Sequence, residues 1–207
     1  MAITYPLAQP TSIGIADITF TMTNARASSQ SPFTGRTQLY KWPLQQWDVS
    51  IMLPPVKRDL AEPWLTFLAK LNAGASTDFP SFHLSNPDAT PLGSQPSNFI
   101  VNNGGDPNTL LLGNLATGQN GVLEAGDYIR VGVGGSARYH KVLDTVNSDV
   151  SGNAEVLVWP ANYQSLSNAE GSLQDAYGTF ILTEPSVSFN INSISSYGIE
   201  FSARSIV

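Results

Sequence analysis

The segment Phe82-His83-Leu84-Ser85-Asn86-Pro87 returns in form as Phe180-Ile181-Leu182-Thr183-Glu184-Pro185, and the stretch between the two copies differs in composition from both flanks. An echo that brackets foreign sequence restricts the fold to one body interrupted by another. Residues 1–92 and 177–207 are expected to fold together, and residues 93–176 to form an inserted unit projecting from one edge. Glycine and proline divide along the same line: 12 of the 17 glycines fall between Gly93 and Ala176, whereas 10 of the 14 prolines precede Gly93. Regions so differently punctuated rarely make one uniform unit.

Charge separates the same way. Residues 93–176 carry three basic side chains (Arg130, Arg138, Lys141) against eight acidic ones, so nearly all of the net −6 sits on the insert. Phosphate-backbone binding needs clustered Lys and Arg, so no nucleic-acid partner is expected. Charged residues are 13% of the chain, about half the share of roughly 25% usual in soluble domains. So charge-poor a surface suits a protein that neighbours will cover. With no cysteine there is neither a disulfide framework nor a thiolate metal site. The opening Met1-Ala2-Ile3-Thr4-Tyr5-Pro6 lacks the basic and apolar regions of a secretory signal, and no apolar run approaches the ~18 residues of a membrane span. The expected site of synthesis and assembly is the cytoplasm, without membrane insertion.

The dominant period is two, the mark of half-buried strands. Ile18, Phe20 and Met22 alternate with Thr19, Thr21 and Thr23; Ile13 and Ile15 are out of phase with them, which predicts a bulge near Ala16-Asp17. Trp47 to Leu53, Val187 to Ile191 and Tyr197 to Ala203 repeat the alternation, with a turn near Ser195-Ser196. Leu60, Trp64, Phe67, Leu68 and Leu71 instead recur at helical spacing, predicting an amphipathic helix over Asp59 to Asn72. Asp59 with Glu62 suggests a capping box, Pro63 the first turn, and Gly74 the end. The insert reads as strands at Thr109–Leu112, Asp127–Val133, Tyr139–Val146 and Ala154–Trp159 between glycine-rich turns. The fold class expected is mainly β: a β-sandwich with one α-helix, interrupted by a small β-barrel or sandwich.

No constellation of catalytic residues stands out, and the chain is not expected to be an enzyme or to hold a cofactor. His83 and His140 lie singly in predicted strands, without the paired spacing of a zinc site. Gly132-Val133-Gly134-Gly135 lacks the Lys-Ser/Thr and the helix of a phosphate loop and reads as a hairpin tip. Glu124 with Asp127, and Glu170 with Asp175, are the nearest paired carboxylates, the former read as solvated acids of a turn. Asp144, Asn147, Asp149, Ser151 and Asn153 place oxygens at roughly alternate positions, but the glycine and closing glutamate of a calcium loop are missing. A polar hairpin turn accounts for them.

Several short motifs carry a resemblance. Ile3-Thr4-Tyr5-Pro6-Leu7, Arg26 to Thr34, and Leu53-Pro54-Pro55-Val56-Lys57-Arg58 leading into Trp64-Leu65-Thr66-Phe67-Leu68 resemble minor tail proteins of long-tailed bacteriophages. The similarity continues through Gly126 to Gly132, His140 to Leu143, Trp159-Pro160 and Gly178-Thr179-Phe180. What it implies is a distal tail protein of siphovirus type: a β-sandwich belt that assembles with itself into a ring, usually a homo-hexamer, between the tail tube protein and the tail hub protein of the virion, with an inserted domain projecting outward. Leu39, Tyr40 and Trp42 are the candidate subunit contacts, because Leu39-Tyr40-Lys41-Trp42-Pro43 is too apolar for an ordinary loop; the other reading packs Trp42 into its own core. The strand from Ile13 and the one ending at Val207 are candidate open edges. The alternative function is a carbohydrate-binding module contacting the host surface, with Tyr128, Tyr139, Trp159 and Tyr163 as its aromatics, although the preferred reading of the same four is the core of a small barrel.

Overall fold

The computed structural model describes residues 3–73, 79–95, 97–184, 186–193 and 195–206. Its elements are β1 (Asp17–Gln30), β2 (Thr37–Met52), α1 (Arg58–Asn72), β3 (Phe82–Leu84), β4 (Phe99–Asn103), β5 (Thr109–Gly113), β6 (Tyr128–Val131), β7 (Arg138–Val142), β8 (Ala154–Trp159), β9 (Ala169–Ser172), β10 (Gly178–Leu182), β11 (Phe189–Ile191) and β12 (Tyr197–Ser205). The strands before Leu84 and after Gly178 build one sheet in the order β1-β2-β12-β10-β3, with β11 alongside β12; the six between them close into a barrel in the order β4-β5-β8-β7-β6-β9. The chain is therefore mainly β.

The two copies of the echo are partners. Phe82 and His83 of β3 lie opposite Phe180 and Thr179 of β10 in antiparallel register, with both phenylalanines fully buried. The barrel leaves the sheet after one copy and returns to it at the other. Around them the sheet core gathers Trp47, Val49 and Ile51 from β2, and Ile199, Phe201 and Ala203 from β12. Alternation at period two delivers these side chains to a single face.

Helix α1 is the layer over that face, rather than a second sheet. Its stripe of Ala61, Trp64, Phe67, Leu68 and Leu71 is buried, with Phe67 edge-on to Phe82 at 5.5 Å and Trp64 edge-on to Phe67 at 5.7 Å. The helix begins one residue earlier than the pattern suggested. Lys57 is the N-cap and makes no side-chain cap bond, while Glu62 accepts from Arg58 Nε at 2.8 Å instead of closing a capping box. Pro63 is consequently inside the helix, beyond the first turn, and removes one backbone bond. Gly74 lies outside the described residues.

Two further expectations are corrected. β1 starts cleanly at Asp17 after a bend, where Ala16 N donates to Met52 O at 3.0 Å; the irregular register falls instead between Asn24 and Arg26, opposite Trp42-Pro43-Leu44. Pro43 has no N–H to give a ladder, so the bulge forms where it stands. The C-terminal strand β12 is no edge, because it pairs with β2 on one side and β10 on the other; Val207 itself lies outside the described residues. The N-terminal segment covers β3, with Leu7 N donating to Ser81 O and His83 N to Leu7 O. Among the described residues that leaves β1 uncovered at its end of the sheet order, and β11, paired only with β12, is a second open strand.

The barrel core is almost wholly aliphatic: Val101, Leu110, Leu112, Ile129, Val131, Val142, Val156 and Val158 with Phe99. Its seam is β9, which pairs with both β4 and β6. Gly171 makes that possible. A Cβ there would stand 2.3 Å from the Phe99 ring and 2.6 Å from Val101 Cγ2.

Candidate interaction surface

Past the bulge, β1 and β2 continue as a two-stranded ribbon from Arg26↔Lys41 to Gln30↔Thr37, tipped by a turn whose Gly35 has φ +66°. Five residue pairs at about 3.4 Å rise carry it roughly 17 Å from the body. Every residue of β1 from Arg26 and of β2 as far as Leu44 is exposed. Among them are Leu39 at 72%, Tyr40 at 56%, Trp42 at 52% and, at the tip, Phe33 at 95%. Trp42 is therefore not a core residue of its own subunit. Leu39 and Tyr40 are adjacent in a strand and so project from opposite faces, which makes the ribbon apolar on both sides. An isolated two-stranded hairpin is marginal in water. This one leaves its apolar side chains open to solvent.

The arm is also cationic. Between Met22 and Gln46 there are Arg26, Arg36 and Lys41 and no acid, and none of the three forms a salt bridge among the described residues.

The other candidate aromatics have a different role. Tyr128, Tyr139 and Trp159 are neither barrel core nor a surface row: they stand on the outer wall of the barrel and pack against the sheet, a correction to both readings. Trp47 of β2 meets Trp159 edge-on at 4.6 Å and lies 6.1 and 6.2 Å from Tyr128 and Tyr139, which stack on each other at 4.9 Å. Trp47 Nε1 donates to Tyr139 O at 2.9 Å. The Tyr139 hydroxyl accepts from Asn86 N, and burial pushes its pKa well above the usual phenol range, so it stays neutral. Tyr163 alone of the four is well exposed.

Polar groups lock the same junction. Gln45 Oε1 accepts from Ala161 N at 2.8 Å and from Asn108 Nδ2 at 3.3 Å. Asp127 is not a solvated acid but a buried clamp: its carboxylate accepts from Leu92 N at 2.7 Å, Gly93 N at 2.9 Å and Glu124 N at 2.8 Å, holding the chain where it passes into the barrel. Gly134, in the 3-10 turn (Gly134–Ser136) of the β6–β7 hairpin, offers its carbonyl to Thr179 Oγ1 at 2.9 Å and to the His83 ring at 3.2 Å. The glycine-rich tip thus ties barrel to sheet. Arg130, buried on the same side, pairs with Glu170 at 2.6 Å and donates to the Tyr177 hydroxyl at 2.9 Å.

His140 is buried, with Nδ1 2.8 Å from Pro160 O, and desolvation lowers its pKa to about 4. Beside it is a cavity of about 20 Å³, room for a single water. His83 is also lowered, chiefly by burial. Asp149 Oδ1 accepts from Ser151 N and Asn153 N at 2.8 Å each, closing the polar turn that the sequence suggested. Among the described residues no group of three or more His, Cys, Asp or Glu side chains is placed to hold a metal ion, and no helix is long and apolar enough to cross a membrane. No protein-family model matches the chain, and no curated protein matches its sequence.

Proposed function

We propose that this chain is a structural protein of a bacteriophage tail, a subunit of a ring at the distal end that joins the tail tube to the hub or baseplate. The observation that carries the reading is the arm: a projecting ribbon, apolar on both faces and cationic, attached to a sheet whose edge strand β1 is open. A closed ring needs a heterologous contact, one surface of each copy fitting a different surface of the next. An arm that reaches away from its own body supplies one half of such a contact, and the resemblance supplies the setting and the sixfold copy number. In this reading the sheet and α1 form the belt and the barrel the outward insert. The tube protein and hub are the further partners, the virion tail is the location, and the role is structural, with no catalysis.

The test is the mass of the purified protein at high concentration by light scattering, with electron microscopy of the same sample. Closed rings, six copies of the 22.2 kDa chain, are the expected result. The paired variant Tyr40→Asp, Trp42→Asp keeps the fold, because both side chains are exposed, and loses the rings. Rings unaffected by that variant refute the role given to the arm.

A further inference from the structure

Resting on that reading, we propose that the arm of one copy docks on the outer wall of the barrel of the next copy, along β5 and β8 and the groove beside Asp149. The wall is unusually apolar for a solvent face. Leu111 of β5 is 45% exposed and Leu157 of β8 is 39% exposed, with Leu143 beside Leu157, its N donating to Leu157 O at 2.9 Å. Glu155 stands directly across from Leu111. Next to them an open groove of about 800 Å³ is lined by Leu111, Asn147, Asp149 and Asn153, ample for an indole or phenol ring. Amides and a carboxylate around an apolar floor suit an amphipathic aromatic side chain such as Tyr40 or Trp42.

Charge selects the occupant. All three basic residues of the insert are turned away from this wall: Arg130 is buried against Glu170 and Tyr177, Lys141 lies over the Tyr128 ring at 4.7 Å on the sheet side, and Arg138 lines the small cavity with His140. The wall acids Glu155 and Asp149 form no salt bridge among the described residues. Hydrogen bonds from the loop backbone, Asn153 first, hold the Asp149 carboxyl below the usual carboxylate range, so it is charged wherever the protein is folded and near neutral pH. The arm has the complementary character, three cations and no anion with exposed Leu39, Tyr40 and Trp42. Both halves of the contact are present on every copy, on different elements, as a head-to-tail ring requires. Complementary potentials of this kind fix register and partner choice.

The experiment uses full-length protein in three forms: wild type, the arm variant Tyr40→Asp with Trp42→Asp, and the wall variant Leu111→Lys with Glu155→Lys, each checked for native circular dichroism and melting temperature. All four substituted side chains are exposed, so folding is kept. The wall variant is expected to associate at least about tenfold more weakly than wild type, as loss of a central contact does. Mixed at equal concentration, arm and wall variants give a one-to-one heterodimer and nothing larger, because each copy keeps one intact half. A wall variant that still forms wild-type rings while the arm variant does not overturns this docking site and leaves the ring reading standing. A wild-type chain that stays monomeric overturns both, and an arm variant that still makes rings overturns the role of the arm and this docking site with it.

Discussion

Replacing Trp47 tests whether barrel and sheet are held as one body by the aromatic junction. Trp47 is 1% exposed, is surrounded by Phe20, Tyr128, Tyr139 and Trp159, and donates its indole N–H to Tyr139 O at 2.9 Å. Trp47→Phe keeps most of the ring but leaves that carbonyl without its donor, at a cost of about 1–3 kcal/mol. Trp47→Ala removes the ring as well and leaves a cavity between two rigid layers, which raises the cost to about 3–5 kcal/mol. Against a total stability of about 5–15 kcal/mol the second variant is close to unfolding. Urea unfolding followed by near-ultraviolet circular dichroism reads both, since the slope reports exposed area and the midpoint the stability. A Trp47→Ala protein within about 1 kcal/mol of wild type refutes the claim that this residue ties the bodies together.

Three other outcomes follow from the geometry. Gly171→Ala forces a methyl into the Phe99 ring and costs about 1–3 kcal/mol in thermal melts, whereas Gly14→Ala, with open space around it, stays within about 0.5 kcal/mol. Asp127→Asn leaves one oxygen for three backbone donors, costs about 1–3 kcal/mol, and speeds hydrogen exchange at Leu92 and Gly93. The pH dependence is set by His140, whose folded pKa of about 4 is below its ordinary 6.5. The unfolded chain therefore binds the proton more readily, and the stabilising effect of the neutral ring is full above pH 6.5 and falls as the pH drops towards 4. The loss over that window is about 3 kcal/mol, and His140→Gln flattens it in denaturant titrations at several pH values. His83, lowered in the same direction, adds to the trend.

The helix was legible because Trp64, Phe67, Leu68 and Leu71 repeat at a period no strand can use, and the insertion was legible because the echo and the charge change together. β9 was not, since Ala169-Glu170-Gly171-Ser172 has no alternation to read; its place in the seam depends on a glycine that the Phe99 ring fills from the neighbouring strand. The junction aromatics were misplaced for a related reason. In β6 and β7 the side chains on both faces are covered, Ile129 inside the barrel and Tyr139 against the sheet, so a barrel strand buried from outside has the same apolar content as one with a core of its own. The arm was visible only through Leu39-Tyr40-Lys41-Trp42, because the rest of it, Arg26 to Gln38, is polar apart from Ala27, Pro32 and Phe33 and reads as loop; its strand character comes from the long ladder between β1 and β2.

In the proposed ring the rigidity of that junction matters for assembly. A head-to-tail contact closes into a ring only if the angle between its two halves is the same in every copy; a hinge between them yields open or irregular chains. The arm grows from β2, and the acidic wall belongs to the barrel. Between them stand Trp47 on Tyr139, Gln45 on Ala161, Asp127 on Leu92 and Gly93, and Thr179 on Gly134, four ties from different parts of the sequence. Gln45 and Trp47 lie in β2 itself, one and three residues beyond Leu44, the last exposed residue of the arm. The strand that carries the arm is thus the strand that grips the barrel. Any swing of the barrel would break a buried hydrogen bond to β2, so the barrel is held on the strand from which the arm grows, as closure of the proposed ring would require.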